Sequence, residues 1–221
     1  MNLDWSNIDD VMLDMDGTLL DLHFDNHFWL EYVPLKYAEE KGISVEQSKT
    51  QLMEQYKKIE GTLDWYCLDH WSRKLQLDIA LLKEEIDHLI AVHPYVVDFL
   101  EAVKAAGKRT ILVTNAHQKA LALKMKKTRL DHHFDEIITS HQIGHAKESQ
   151  QFWSGLQARL PFDPVRTLFV DDSVSVLESA RNYGIAHLIA VLKPDTRSPA
   201  RQVKEFNGVE NFKDLLPGLQ K

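Results

Sequence analysis

Short apolar runs that stop at polar, turn-prone residues recur along this chain. Val11-Met12-Leu13 ends in Asp14-Met15-Asp16-Gly17-Thr18, Thr110-Ile111-Leu112-Val113 ends in Thr114-Asn115, and Thr167-Leu168-Phe169-Val170 ends in Asp171-Asp172. A fourth run is His187-Leu188-Ile189-Ala190-Val191. Each predicts a strand buried on both faces and running into a loop. Helical patterns separate them: Val96, Phe99, Leu100 and Val103 share a face before Gly107; Leu121, Leu123 and Met125 follow His117; Val174, Leu177 and Ala180 precede Tyr183-Gly184, where glycine suits a helix stop. Strands alternating with helices predict crossover units, hence an α/β fold with a parallel sheet covered by helices on both faces.

Between Asp21 and His93 the texture changes. Phe28, Tyr32, Leu35 and Tyr37 sit among charges, followed by Val45, Leu52, Tyr56 and Ile59, then Trp65, Leu68, Trp71 and Leu75, then Leu81, Leu82, Ile86 and Leu89. Roughly 70 residues without strand-like alternation is long for a loop, so an all-helical insertion is expected, with Gly42, Gly61 and Leu77-Asp78 as its turns. The expected division is a core of residues 1–21 and 94–221, with a helical domain over 22–93.

Composition narrows the class. Twenty-six Lys and Arg against 33 Asp and Glu leave a formal charge of −7, which argues against a partner held through nucleic-acid phosphates. With 44% hydrophobic and 27% charged residues the chain reads as globular. No run of eighteen apolar residues predicts a membrane span, Met1 to Asp10 lacks the look of a secretory signal, and the single cysteine, Cys67, cannot close an internal disulfide. A cytoplasmic protein is expected.

Four elements carry candidate chemistry, each just past a predicted strand, where open parallel sheets place ligands. They are Asp14 to Thr18, Thr114-Asn115, Lys147 and Asp171-Asp172. A phosphate monoester beside ionised Asp14 and Asp172 gathers about four negative charges; one Mg²⁺ and Lys147 return about three, so the metal keeps the substrate from being repelled by its own nucleophile. Oxygen ligands suit Mg²⁺, with Mn²⁺ or Co²⁺ standing in. In this scheme Asp14 attacks phosphorus to form an aspartyl-phosphate. Asp16 protonates the leaving alkoxide and later takes a proton from the attacking water. Thr114 and Asn115 donate to the transferring group, and Lys147 neutralises developing charge.

This arrangement resembles the haloacid dehalogenase-like hydrolase superfamily. Asp14, Asp16, Gly17 and Thr18 fit its first motif, Thr114 its second, Lys147 its third and Asp171-Asp172 its acidic fourth. The resemblance implies a Rossmann-like core and a type 1 helical cap. It also implies metal ligation by the Asp14 carboxylate, the Asp16 main-chain carbonyl and the Asp172 carboxylate, with Asp171 acting through water. Ala146 stands where many relatives have proline, which bears on loop stiffness. Phe24-Asp25-Asn26, Asp64 to Asp69 and Thr114 to His117 are further similar to the bacterial GMP/IMP nucleotidases of this superfamily. That implies a purine nucleoside monophosphate as the small-molecule partner, with no nucleic-acid polymer and no membrane.

Blander readings compete at single positions. Asp171-Asp172 could cap a helix before Ser173, and Asn115 and His117 could cap the next one. Trp65, Tyr66 and Trp71 recur at helical spacing, as core residues do, yet a purine needs a flat apolar wall, and one of Trp65 or Tyr66 is a candidate for it. Cys67 reads as buried packing. His132-His133 lack a partner at zinc-ligand spacing. The rival functions are a sugar-phosphate phosphatase or phosphomutase on the same core, a metal-free haloacid dehalogenase, and a phospho-receiver module. Receivers lack the long insertion and place the acidic pair before the phosphorylated Asp. No phosphate loop ending in Lys-Ser/Thr is present.

Overall fold

A computed structural model describes residues 3–216, 218 and 219. Its centre is a six-stranded, all-parallel sheet built from β1 (Asp10–Leu13), β2 (Arg109–Thr114), β3 (Glu136–Thr139), β4 (Thr167–Asp171), β5 (His187–Val191) and β6 (Asn207–Val209). The spatial order is β3-β2-β1-β4-β5-β6, with β1 pairing Leu13 to Leu112 on one side and to Val170 on the other. This is the doubly wound, Rossmann-like order, which reverses direction between β1 and β4 and opens a crevice at the strands' carboxyl ends.

Alternate residues of the strands feed two apolar clusters. Val11, Leu13, Leu168 and Val170 pack with Val96, Phe99, Leu100 and Val103 of α7 (Val96–Ala105). Met12, Ile111, Val113 and Phe169 pack with Phe152, Trp153 and Leu156 of α10 (Gln150–Arg159), and with Leu177 and Ala180 of α11 (Val174–Tyr183). A strand buried on both faces is apolar along nearly all its central positions, which is why the four runs are readable, with Asp10, Thr110 and Thr167 polar at the strand starts.

The chain between β1 and β2 is helical: α1 (His23–His27), a π-helical turn over Phe28–Tyr32, α2 (Val33–Lys41), α3 (Val45–Lys57), α4 (Leu63–Tyr66), α5 (Leu68–Leu75) and α6 (Ile79–Glu85). Gly42 ends α2 at φ 64°, Gly61 turns at φ 76°, and Asp78 caps α6 by accepting from Leu81 N–H at 3.0 Å. The two connections run side by side: Asp21 N–H donates to Ala91 O and His93 N–H to Leu19 O, both at 2.9 Å. Among the described residues no helix is long and apolar enough to cross a membrane.

Several local expectations differ from the fold. β3 and β6, at the sheet's edges, have four and three residues and no long apolar run, so pairing with a neighbour forms them rather than local pattern. In α8 (Gln118–Thr128) the buried face is Ala120, Lys124 and Met125, while Leu121 and Leu123 are half-buried. In α11 Val176, not Val174, joins Leu177 and Ala180 in the core. Cys67 is half-buried at the break between α4 and α5, accepting from His70 N–H at 3.4 Å, rather than packed inside one helix.

Candidate active site

The four sequence elements converge at the carboxyl edge of β1, β2 and β4. Asp14 follows β1 directly, and its N–H donates to Val170 O at 3.0 Å, extending the central ladder by one residue. The chain then turns at Gly17, with φ at 84°, and Gly17 N–H donates to Leu20 O at 2.7 Å. A Cβ on Gly17 would stand 2.8 Å from the Asp172 carboxylate. Glycine therefore meets both the positive φ and the close approach of that carboxylate.

Lys147 is the hub. Its buried ammonium donates to Asp14 Oδ1 at 2.5 Å, Asp171 Oδ2 at 2.7 Å and Val113 O at 3.1 Å. Burial disfavours its charge, but Asp14 and Asp171 outweigh that and push its pKa up. The lysine is placed by Asn115, whose Oδ1 accepts from Lys147 N–H at 3.0 Å and whose Nδ2 donates to Glu148 Oε2 at 3.1 Å. Thr114, at the end of β2, accepts from Ala116 N–H through Oγ1 at 3.0 Å, which leaves its own O–H available as a donor. Ser173, not either aspartate, caps α11, and Asp171 Oδ1 accepts from Ser173 N–H at 2.7 Å. His117 caps α8 through Nδ1.

Asp16 is held by a group that sequence reasoning missed. Lys124 Nζ donates to Asp16 Oδ1 at 2.6 Å and to Asp25 Oδ2 at 2.7 Å, and Lys83 Nζ donates to Asp25 Oδ1 at 2.6 Å. Both lysines are buried, and Lys83 sits 4.2 Å from the Phe28 ring centroid. This alternating chain of charges joins the first loop, α8, α1 and α6. A detectable signal was present: Lys83 lies among Ile79, Leu82 and Ile86, and Lys124 between Ala120 and Met125, so each occupies a place in an apolar stripe. A lysine there is buried only when paired.

Above these groups opens a cavity of about 540 Å³. Its floor is Asp14, Asp16, Lys147 and Asp172; its far wall is Trp29, Tyr56, Trp65 and Tyr66 from the helical insertion. Both Trp65 and Tyr66 reach the cavity, whereas Trp71 is core, packed edge to face on Tyr56 with centroids 5.0 Å apart. Tyr66 O–H donates to Glu148 Oε1 at 2.6 Å, a bond between insertion and core.

The floor is short of positive charge. Around it five aspartates, Asp14, Asp16, Asp25, Asp171 and Asp172, stand against three lysines, Lys83, Lys124 and Lys147, an excess of two negative charges that Arg201 at the Asp172 edge only partly offsets. Burial, opposed by Lys147 and reinforced by Asp171, raises the Asp14 pKa to about 6. Burial, opposed by Lys124 and reinforced by Asp25, does the same for Asp16. Asp172 is pushed well up by burial and by Asp171 and Asp14, with Arg201 no nearer its carboxylate than 3.9 Å. Carboxylate oxygens of Asp14, Asp171 and Asp172 lie within 4.8 Å of one another. Such an oxygen-only, electron-rich donor set suits a hard divalent cation.

A Rossmann-like core, a helical insertion after the first strand, and an Asp–Lys–Asp cluster at the switch point define a hydrolase class. The chain belongs to the haloacid dehalogenase-like hydrolases, whose family model matches residues 8–184. It is 38% identical over 219 residues to the GMP/IMP nucleotidase YrfG of Escherichia coli, covering 99% of both chains. It is 22% identical over 192 residues to a phosphorylated carbohydrates phosphatase of Thermotoga maritima, covering 82% of this chain and 84% of that one. Among solved structures, the HAD phosphatase from Thermococcus onnurineus superposes with a TM-score of 0.80 at 22% identity, covering 94% and 96% of the two chains.

Proposed function

We propose that this protein is a Mg²⁺-dependent phosphomonoesterase that converts purine 5′-mononucleotides, GMP and IMP among them, to nucleoside and phosphate. The observation that carries the reading is one cavity with two unlike walls, a floor of carboxylates and lysines and a roof of aromatic rings. A cavity of about 540 Å³ is within the range of small-molecule sites. Its floor has the chemistry of a phosphoryl group and its roof that of a flat base. The full-length identity to a GMP/IMP nucleotidase supports the same substrate class.

Asp14, Asp172 and the Asp16 main-chain carbonyl would hold Mg²⁺, which supplies charge neutralisation at the phosphoryl oxygens. Asp171, tied to Lys147 and Ser173 N–H, would reach the ion through water. Lys147 holds one Asp14 oxygen, leaving the other to attack phosphorus. The P–O ester bond breaks as the Asp14 O–P bond forms, and Asp16 delivers its proton to the departing alkoxide. Asp16, now ionised, takes a proton from water; that oxygen attacks phosphorus and releases inorganic phosphate and the Asp14 carboxylate. A carboxyl with a pKa of about 6 can serve as acid and then base near neutral pH. Thr114 O–H and Asn115 orient the transferring group. Residues 22–93 form the cap, which excludes water until the aspartyl-phosphate has formed and then reopens to admit it.

The test is phosphate release from a panel of nucleoside and sugar monophosphates, with and without Mg²⁺. GMP and IMP should lead, with turnover lost in EDTA. A hexose phosphate favoured tenfold over both, or a 2-haloacid turned over in EDTA, overturns the proposal.

A further inference from the structure

Outside the carboxylate floor, three residues with no local relation in the sequence meet at the junction of insertion and core. Cys67 comes from the break between α4 and α5, His117 from the start of α8, and His141 from α9 (Ser140–Ile143). One ligand atom of each lies within 4.8 Å of the other two. The imidazoles meet edge to face with centroids 4.9 Å apart.

The nitrogens are arranged for something other than each other. His117 Nδ1 accepts from the Lys119 N–H at 3.3 Å, which puts its ring proton on Nε2; binding an ion at Nε2 moves that proton to Nδ1 and gives up this long capping bond. His141 Nε2 is buried with no hydrogen-bond partner. An orphaned buried polar atom costs on the order of 1–3 kcal/mol and calls for an occupant. The Cys67 sulfur already accepts from His70 N–H, the kind of outer contact that steadies a ligating thiolate. Asp69 Oδ2 stands 3.7 Å from His117 Nε2, while its Oδ1 is held by Lys119 at 2.6 Å. Burial holds both histidines below the usual imidazole range, so each is neutral and able to ligate near pH 7.

We propose that Cys67, His117 and His141 form a second metal site, for a thiophilic divalent ion of the zinc class, with solvent as the fourth donor. On binding, the Cys67 thiol loses its proton to solvent as the sulfur–metal bond forms. Zinc takes bonds of about 2.0–2.3 Å in a tetrahedron, so its ligand atoms stand about 3.3–3.8 Å apart. The observed cluster reaches this by shifts on the order of an ångström. Sulfur and imidazole donors separate this site from the oxygen-only cluster around Asp14. Cys67 belongs to the insertion and the two histidines to the core, so the ion would bolt one to the other.

The test uses the full chain stripped with EDTA and titrated with Zn²⁺ or Co²⁺ while excess Mg²⁺ occupies the carboxylate cluster. One zinc per chain is expected, and cobalt should give the near-ultraviolet charge-transfer absorption of a thiolate ligand, which carboxylates cannot produce. Cys67→Ser should abolish that absorption, and both Cys67→Ser and His141→Gln should weaken zinc at least tenfold. No charge-transfer absorption in the wild-type chain, or zinc uptake unchanged in either variant, overturns the site. Uptake is read without substrate, so the outcome is independent of the nucleotidase reading.

Discussion

Replacing Lys124 by Met tests whether the buried charge chain sets the catalytic proton transfers. Methionine fills much the same space and removes the ammonium. Asp25 keeps its bond to Lys83, but Asp16 loses its 2.6 Å partner and keeps the burial that raises its pKa. Removing one partner of a buried pair costs about 3 kcal/mol at the low end. At ~1.4 kcal/mol per pH unit, that moves Asp16 from about 6 to about 8. At pH 7 its ionised fraction then falls from about nine-tenths to about one-tenth. The first half-reaction needs protonated Asp16 and is spared; the second needs the ionised form and slows about tenfold. Acid quenching at pH 7 should therefore trap accumulated aspartyl-phosphate, and the kcat profile should recover on raising the pH to about 9. A loss of rate equal at every pH, with no trapped intermediate, refutes the role given to Lys124.

Three further outcomes follow from the same geometry. Asp14→Asn should abolish turnover while leaving the fold intact, because Lys147 keeps Asp171 and Val113 O; residual activity above about a tenth of wild type would remove Asp14 as nucleophile. Gly17→Ala should lower stability by about 1–3 kcal/mol, and it should weaken Mg²⁺ binding, since the new Cβ meets the Asp172 carboxylate; an unchanged Mg²⁺ titration would contradict this. Asp14 and Asp16 have folded pKa values near 6, above their unfolded values. Their contribution is fully present below about pH 4 and is lost as pH rises through about 6, while burial of His93, His117 and His141 below the usual imidazole range works in the opposite direction over the same window. Because Asp14 and Asp16 ionise across it, the rise in Tm on adding Mg²⁺ should grow from pH 5 to 7; a rise that is constant or shrinking across the window goes against it.

The legibility of this protein in its sequence was uneven for a physical reason. Strands such as Val11 to Leu13 and Thr167 to Val170 are buried on both faces, and helices such as α7 bury one stripe, so local periodicity carries them. Asp14 and Asp16 follow β1, Thr114 closes β2, Asp172 follows β4 and Lys147 lies beyond β3 and α9, and parallel topology sends all these ends to one edge. That combination made the charged floor readable residue by residue. By contrast, β3 and β6 exist through their neighbours, and α8 and α11 turn faces set by the packing around them.

Local pattern is enough to specify the alternating α/β order, the helical insertion and the carboxylates and lysine near the strand ends, because each element is marked within a dozen residues by period or punctuation. Folding in three dimensions is what brings Lys124 and Lys83 onto Asp25, Tyr66 to Glu148, and Cys67 beside His117 and His141. Those partners stand tens of residues apart on separate elements. Their meeting depends on how the insertion settles on the sheet edge, a long-range packing outcome with no local imprint.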